Sequence, residues 1–331
     1  LYGRIGFMDF SQVIKDALRL ELIRFEIALR KSVENDNRWI SAIINHVLSA
    51  EGKRIRPMLV FLTAKSCGGV TPATYYGAVT IELLHTASLI HDDILDESSI
   101  RRGQPSVNAV FGNHQAVLSG DYLLSTALRE SVKTGNLEIV DIISHLGQNL
   151  TEGELSQFAI ANEAIIDEDE YFNVIDKKTA SLLAACAKVG ALTSGADRDT
   201  VNNFERFGRI LGITFQLKDD IFDYYSQDVG KPTGSDIKEG KITLPLIFAL
   251  QNAPRSDADE MLEIIRSRTY SDANVATLLQ FAKTHGGIDY TNQKIDALLA
   301  EADSILESLS LNEDYRPLLQ LLFKYLKERS Y

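Results

Sequence analysis

A chain of 331 residues with 45% hydrophobic and 24% charged content is long enough to bury one large core, so a single domain spanning 1–331 is expected, with two domains as the alternative. Its formal charge of -12 and pI near 5.0 argue against general binding to nucleic acid or to anionic membranes, while leaving room for a local phosphate pocket. Cys67 and Cys186 are the only cysteines and offer neither a disulfide framework nor a zinc spacing, so a reducing, cytoplasmic setting is expected.

In chain order, most of the sequence reads as helix. Leu18, Leu22, Phe25 and Leu29 make one apolar stripe, and Ile40, Ile43, Ile44, Val47 and Leu48 make a second. A helix is predicted over 58–65, starting just after Pro57. A long one over 75–96 follows, then others over 117–133, 137–158, 171–192 and 200–225. The tail predicts helices over 259–269, 271–284, 291–310 and 315–328. Gly and Pro punctuate the gaps, and no alternating strand pattern competes. The expected fold is therefore all-α, without a clear linker. The run 242–250 is apolar but too short to span a bilayer, and the start shows no secretory pattern.

Two clusters carry the chemistry: DDILD, with Asp92, Asp93 and Asp96, and DDIFD, with Asp219, Asp220 and Asp223. Three acids in five residues repel one another and are costly to bury, so a helix keeps them most readily when cations neutralise them. Hard carboxylate oxygens suit Mg2+, which bridges protein carboxylates and substrate phosphates. Asp92 and Asp96 share a helix face one turn apart, as do Asp219 and Asp223, while Asp93 and Asp220 are displaced around the axis. The two helices are expected to oppose each other across a central cavity.

Basic residues repeatedly flank these segments. Lys53 and Arg56 lie in GKRIRP, Arg101 and Arg102 follow the first cluster, and Lys177, Lys178 and Thr179 precede a small-residue helix. Lys231, Lys238 and Lys241 follow the second cluster. Arg offers phosphate a planar fork and Lys a point charge. GKPTG is not a P-loop, because the terminal Lys-Ser/Thr is missing. His85 is a further phosphate contact candidate, equally readable as a satisfied helix histidine. Glu152, Glu154 and Gln157 form a polar turn readable as local hydrogen bonding.

With these residues in view, the chain resembles the trans-polyprenyl diphosphate synthase family. The resemblance covers roughly 51–250 and rests on an ordered set of segments: GKRIRP, ELLHTASLIHDDILDESSIRRG, SGDYLL, GELSQ, KKTASLL, FQLKDDIFD and GKPTGSDIKEGK. It implies an all-α prenyl-synthase fold and a homodimer. It implies that Asp92, Asp93 and Asp96 bind Mg2+ on one side of an allylic diphosphate such as farnesyl diphosphate, and that Asp219, Asp220 and Asp223 do so on the other. It assigns Arg101, Lys178, Thr179, Gln216, Lys231 and Lys241 to the allylic diphosphate. Lys53, Arg56, His85 and Arg102 go to isopentenyl diphosphate.

The implied reaction is ionisation of the allylic substrate, attack by isopentenyl diphosphate and loss of a proton, adding five carbons per cycle. By the same resemblance, short-product members place bulk at the positions of Ala87 and Ser88. Both are small here, which favours a long all-trans product, with octaprenyl diphosphate as the single choice and a quinone side chain as its use. A product so apolar could bring the enzyme into contact with a membrane at release. The alternatives are a terpene cyclase and a non-catalytic subunit of a heteromeric synthase.

Overall fold

The computed structural model describes residues 10–49, 52–225 and 233–328. Helices α1 (Phe10–Ala17), α2 (Arg19–Ser32), α3 (Arg38–Ser49), α4 (Ile55–Cys67) and α5 (Pro72–Leu95) come first. Strands β1 (Ile100–Arg101) and β2 (Gln104–Pro105) then pair antiparallel. They are followed by α6 (Val107–Phe111), α7 (Asn113–Val132), α8 (Leu137–Glu163) and α9 (Glu168–Ile175). A π-helical turn (Asp176–Ala180) leads into α10 (Ser181–Thr193), α11 (Arg198–Phe222), α12 (Ser235–Lys238) and α13 (Leu244–Asn252). Last come α14 (Arg255–Ser267), α15 (Asp272–Thr284), α16 (Gly287–Ser308) and α17 (Arg316–Glu328).

The all-α expectation holds, with local differences at the Gly103 gap and within 171–192. The gap expected around Gly103 contains the two-residue strand ladder. The continuous helix expected over 171–192 is broken by the π turn. The apolar run 242–250 falls in α13, which Pro245 opens in its first turn and whose apolar side chains pack inward. No helix among the described residues is long and apolar enough to cross a membrane.

The chain forms two compact units. The first comprises Leu1–Gly147, Leu182–Gly208 and Leu309–Leu322. At its centre, Met58 to Ala64 of α4 are all buried, as are Gly77 to His85 of α5. Helices buried all round read as apolar on every face, so neither has a clean stripe. Phe61 anchors this core, edge-on to Phe25 at 6.2 Å and tilted against Tyr75 at 5.2 Å. Fully burying such side chains contributes about 1.5–3 kcal/mol each. α5 begins with Thr71 and Thr74 capping each other, Pro72 at its first position, and Thr74 Oγ1 donating to Thr193 Oγ1 at 2.9 Å. A rigid start of this kind fixes where the acidic end of the helix emerges.

The second unit comprises Gln148–Ser181, Arg209–Ser308 and Phe323–Tyr331. Leu244, Leu246 and Ile247 of α13 are buried, as are Leu278 and Ala282 of α15 and Ile295 of α16. Phe248 stacks on Tyr290 at 4.1 Å.

Candidate active site

In the first unit the acidic cluster closes α5. Asp92 is half-buried, Asp96 is exposed as the C-cap, and Asp93 is only 3% exposed. Arg101 returns from β1 to pair with Asp93, its Nε donating to Oδ1 at 2.8 Å. Asn108 Nδ2 donates to the carbonyls of Asp93 and Ser98, at 3.1 Å each, and so ties down the helix end. The hairpin between β1 and β2 turns on Arg102 and Gly103, with φ of 52° and 74°. Two successive positive φ values are what a two-residue primed turn requires. They carry the Arg102 guanidinium over Gly52, where an added Cβ would stand 2.8 Å from Nη1. The glycine of GKRIRP thus makes room for an arginine fifty residues downstream.

Arg102 lies close enough to Arg54 and Arg56 for their charges to interact. Arg54 caps α4 with φ of 56° and is held by Glu26 and by buried Glu82, whose Oε1 accepts from Nη1 at 2.8 Å. Arg56 has a buried Nε with no hydrogen-bond partner. Burial pulls its pKa down, nearby Arg102 adds to this, and Glu82 opposes it. His85 is 8% exposed, and its pKa lies well below the usual imidazole value, first through burial and then through Arg56, Arg102 and Arg101. An unpartnered guanidinium nitrogen beside a neutral imidazole and further arginines is a site built for an anion. Lys53 is exposed.

The neutral state of His85 has a consequence for stability. Below about pH 6.5 the unfolded chain protonates this histidine while the folded chain does not. Stability therefore falls as pH drops through that window. The melting temperature of His85→Gln should change less between about pH 7 and about pH 5 than that of the parent. Thermal unfolding at several pH values checks this, and parallel curves would remove His85 as a source.

In the second unit, the cluster on α11 is organised by hydrogen bonds. Buried Asp220 accepts from Tyr171 Oη at 2.5 Å and from Gln216 Nε2 at 2.8 Å. Gln216 Oε1 accepts from Thr179 Oγ1 at 2.8 Å, which fixes the orientation of its amide. Burial, and then Asp236, push the Asp220 carboxyl up to about 7. Asp223 accepts from Ser235 N and Oγ at 2.9 and 2.8 Å and from Asp236 N at 3.1 Å. It thereby secures the turn at Gly234, where φ is 76°. Asp219 is half-buried.

Lys178 and Thr179 sit on the π turn, whose extra residue per turn re-aims side chains and recurs at functional sites. Gly212 of α11 lets that turn approach closely, since a Cβ there would meet Ala180 Cα at 2.4 Å. Lys178 pairs with Glu154 and donates to Gln157 Oε1 at 3.3 Å, while Lys177 pairs with Glu152 at 3.1 Å. The polar turn of α8 therefore holds the two lysines. A cavity of about 180 Å³ is lined by Tyr171, Lys178, Thr179, Gln216, Asp220 and Lys241, among others. Five of the expected site residues thus converge there; Lys241 also pairs with Glu239 at 2.6 Å. Lys231 lies outside the described residues.

Arg54 and Tyr171 are the residues that sequence reasoning passed over. GKRIRP displayed Arg54, but nothing in it told the structural arginine from the phosphate-facing one. Tyr171 sits just before a strong basic motif and carries no signal of its own. Tyr171→Phe removes the hydroxyl that orients the Asp220 carboxyl and should lower kcat/KM about 10- to 100-fold, the size expected where such a hydrogen bond orients a functional carboxylate. Steady-state kinetics alongside a melting curve would check it; a stability loss with unchanged kinetics would confine Tyr171 to packing.

Among the described residues, no three His, Cys, Asp or Glu side chains converge to hold a metal ion by themselves. Mg2+ keeps several waters and takes one or two carboxylates plus substrate phosphates. Asp92 and Asp96, one turn apart at an open helix end, are a donor set of that kind.

The family model for polyprenyl synthetase matches residues 37–282. The short chain isoprenyl diphosphate synthase of Methanothermobacter thermautotrophicus is 34% identical over 86% of this chain and 89% of its own. The octaprenyl diphosphate synthase of Escherichia coli (strain K12) is 33% identical over 87% and 88%. A solved decaprenyl diphosphate synthase from Rhodobacter capsulatus superposes with a TM-score of 0.90 at 31% identity, covering 97% of this chain and 99% of that one. A polyprenyl synthase from Caulobacter crescentus CB15, complexed with calcium and isoprenyl diphosphate, gives 0.87 at 28% identity, covering 99% and 100%. The named products run from short chain to decaprenyl, so similarity does not select a length.

Proposed function

The chain belongs to the polyprenyl synthetase family, and from that premise we propose that it makes a long all-trans polyprenyl diphosphate, octaprenyl in length, for a quinone side chain. It is an enzyme, a prenyltransferase that joins isopentenyl diphosphate to an allylic diphosphate. The observation that carries the assignment is the pairing of two unlike anion sites on α5. His85 and Asp92 are seven residues apart, so they share a helix face about 10 Å apart along the axis. One site is cationic in itself, through Arg56 and Arg102, with neutral His85 beside them; the other is acidic and calls for a divalent ion. Two diphosphates held side by side, one by side chains and one by metal, suit condensation of two substrates. A cyclase acts on a single diphosphate.

In this reading Asp92, Asp93 and Asp96 in the first unit, and Asp219, Asp220 and Asp223 in the second, are the metal-binding carboxylates. Asp93 and Asp220, both buried and hydrogen-bonded, act by positioning their neighbours. Mg2+ bound there supplies neutralising charge to the diphosphate that leaves. Lys178, Lys231, Lys241 and Arg101 bind that diphosphate, and Lys178 exchanges Glu154 for it. Gln216, oriented by Thr179, faces the allylic group. Lys53, Arg56, Arg102 and neutral His85 hold isopentenyl diphosphate, with His85 Nε2 or Nδ1 free to donate. The double bond of isopentenyl diphosphate attacks the allylic carbon, and the departing diphosphate takes the proton, leaving a new trans alkene.

The whole chain acts as one synthase domain and pairs as a homodimer. Support for pairing comes from Val117, Leu124, Leu128 and Val132 of α7, which recur at helical spacing and are 36–65% exposed. A cytoplasmic setting is supported by Cys67 and Cys186, which are free, with thiols pushed up to about 12 by burial. Diphosphate release separates condensation from cyclisation. Release requiring both substrates supports this reading, and equal release from the allylic substrate alone would overturn it.

A further inference from the structure

Helix α2 has two faces of opposite character. Inward, Phe25 and Leu29 are buried, and both of its acids turn toward the protein: Glu21 pairs with Lys65 at 2.7 Å and Glu26 with Arg54 at 2.6 Å. Outward, Leu20, Ile23 and Ile27 are 55%, 50% and 63% exposed. Their spacing makes one ridge on the helix surface. Arg24 and Lys31 flank it on one side and Arg19 and Arg30 on the other, all exposed. With its only two acids drawn inward, the outer surface of α2 is a basic, apolar strip on a chain of net charge -12.

We propose that this strip docks on an anionic lipid bilayer. An apolar ridge edged by Arg and Lys is the signature of a helix lying in a membrane interface, where long cationic side chains reach the headgroups while the ridge enters the acyl boundary. A second copy of this acidic chain offers a poorer match to four cations. Trp39, the single tryptophan, is 68% exposed at the start of α3 with the Arg38 guanidinium 4.7 Å above its ring, a side-chain pair suited to the same boundary. The overall charge argued against anionic membranes; the local sorting of charge on α2 is what a sum over the chain conceals. The purpose rests on the long-chain reading, because such a product leaves the enzyme for a bilayer, but the docking itself is independent of product length.

The test is sedimentation of the full chain, without substrates, with vesicles of phosphatidylglycerol and phosphatidylcholine or of phosphatidylcholine alone. Binding to the anionic vesicles that weakens with salt is expected. Arg24→Gln with Lys31→Gln should weaken it about 25-fold, about fivefold for each charge near an anionic surface. Ile23→Ser with Ile27→Ser should weaken it as well, and neither pair should change turnover measured without vesicles. No binding at low salt, equal binding to both vesicle types, or variants that bind like the parent would overturn the proposal. So would Ile23→Ser with Ile27→Ser altering the oligomeric state, which would give the face to a second copy. Product length is measured separately, so a short product would sink the long-chain reading while leaving the vesicle result standing.

Discussion

Asp92→Asn should abolish turnover, by on the order of 10³-fold in kcat or more, while leaving the fold intact. The side chain is half-buried at the end of α5, so the isosteric amide keeps the helix and removes one carboxylate from the proposed metal site. Metal-borne charge stabilisation is worth several kcal/mol in the transition state, which sets the size of the effect. Asp93→Asn should behave differently. Its carboxylate is buried against Arg101, so that change should lower stability by about 1–3 kcal/mol as well as activity. Kinetics and unfolding of the two variants side by side check this. Equal stability losses would mean that the two aspartates share one role.

Ala87→Phe should shorten the product while sparing the first condensation. Ala87 is 3% exposed, one residue beyond the turn that precedes Asp92, and about 140° around the helix from it. Ser88, half-buried, lies about 40° from Asp92 and donates to the His85 carbonyl at 2.9 Å. Ser88→Phe therefore introduces bulk on the same side as Asp92, and Ala87→Phe introduces it deeper in the packed helix. Overpacking costs about 1–3 kcal/mol, so both variants should remain folded with lowered melting temperatures. Each should shift chromatographed products toward fewer isoprene units. A folded, active Ala87→Phe enzyme with unchanged product length would remove that residue from the control of length.

The sequence carried the helices well where one face is apolar, as in α3, because burial and periodicity agree there. It also displayed the chemistry of the site, since clustered aspartates and recurring lysines and arginines are visible without coordinates. What it did not display depends on partners distant in the chain. The π turn at Asp176–Ala180 has no local signature; it is accommodated by Gly212 of α11 and by Glu152 and Glu154 of α8. The division of GKRIRP between structural Arg54 and anion-facing Arg56 depends on where Glu26 and Glu82 stand. Nothing in the sequence showed that Asp223 also accepts hydrogen bonds from Ser235 N and Oγ twelve residues on. The charge of α2 was hidden in the same way, its acids being drawn inward by Lys65 and Arg54.

The most direct test of the central claim is product analysis with labelled isopentenyl diphosphate, farnesyl diphosphate and Mg2+, with a parallel reaction in chelator. The account predicts label in a discrete long all-trans polyprenyl diphosphate, eight isoprene units in length, formed only with the metal. Label confined to a product one unit longer than the starter would contradict the long-chain assignment. No incorporation by folded protein that binds both substrates would contradict condensation itself.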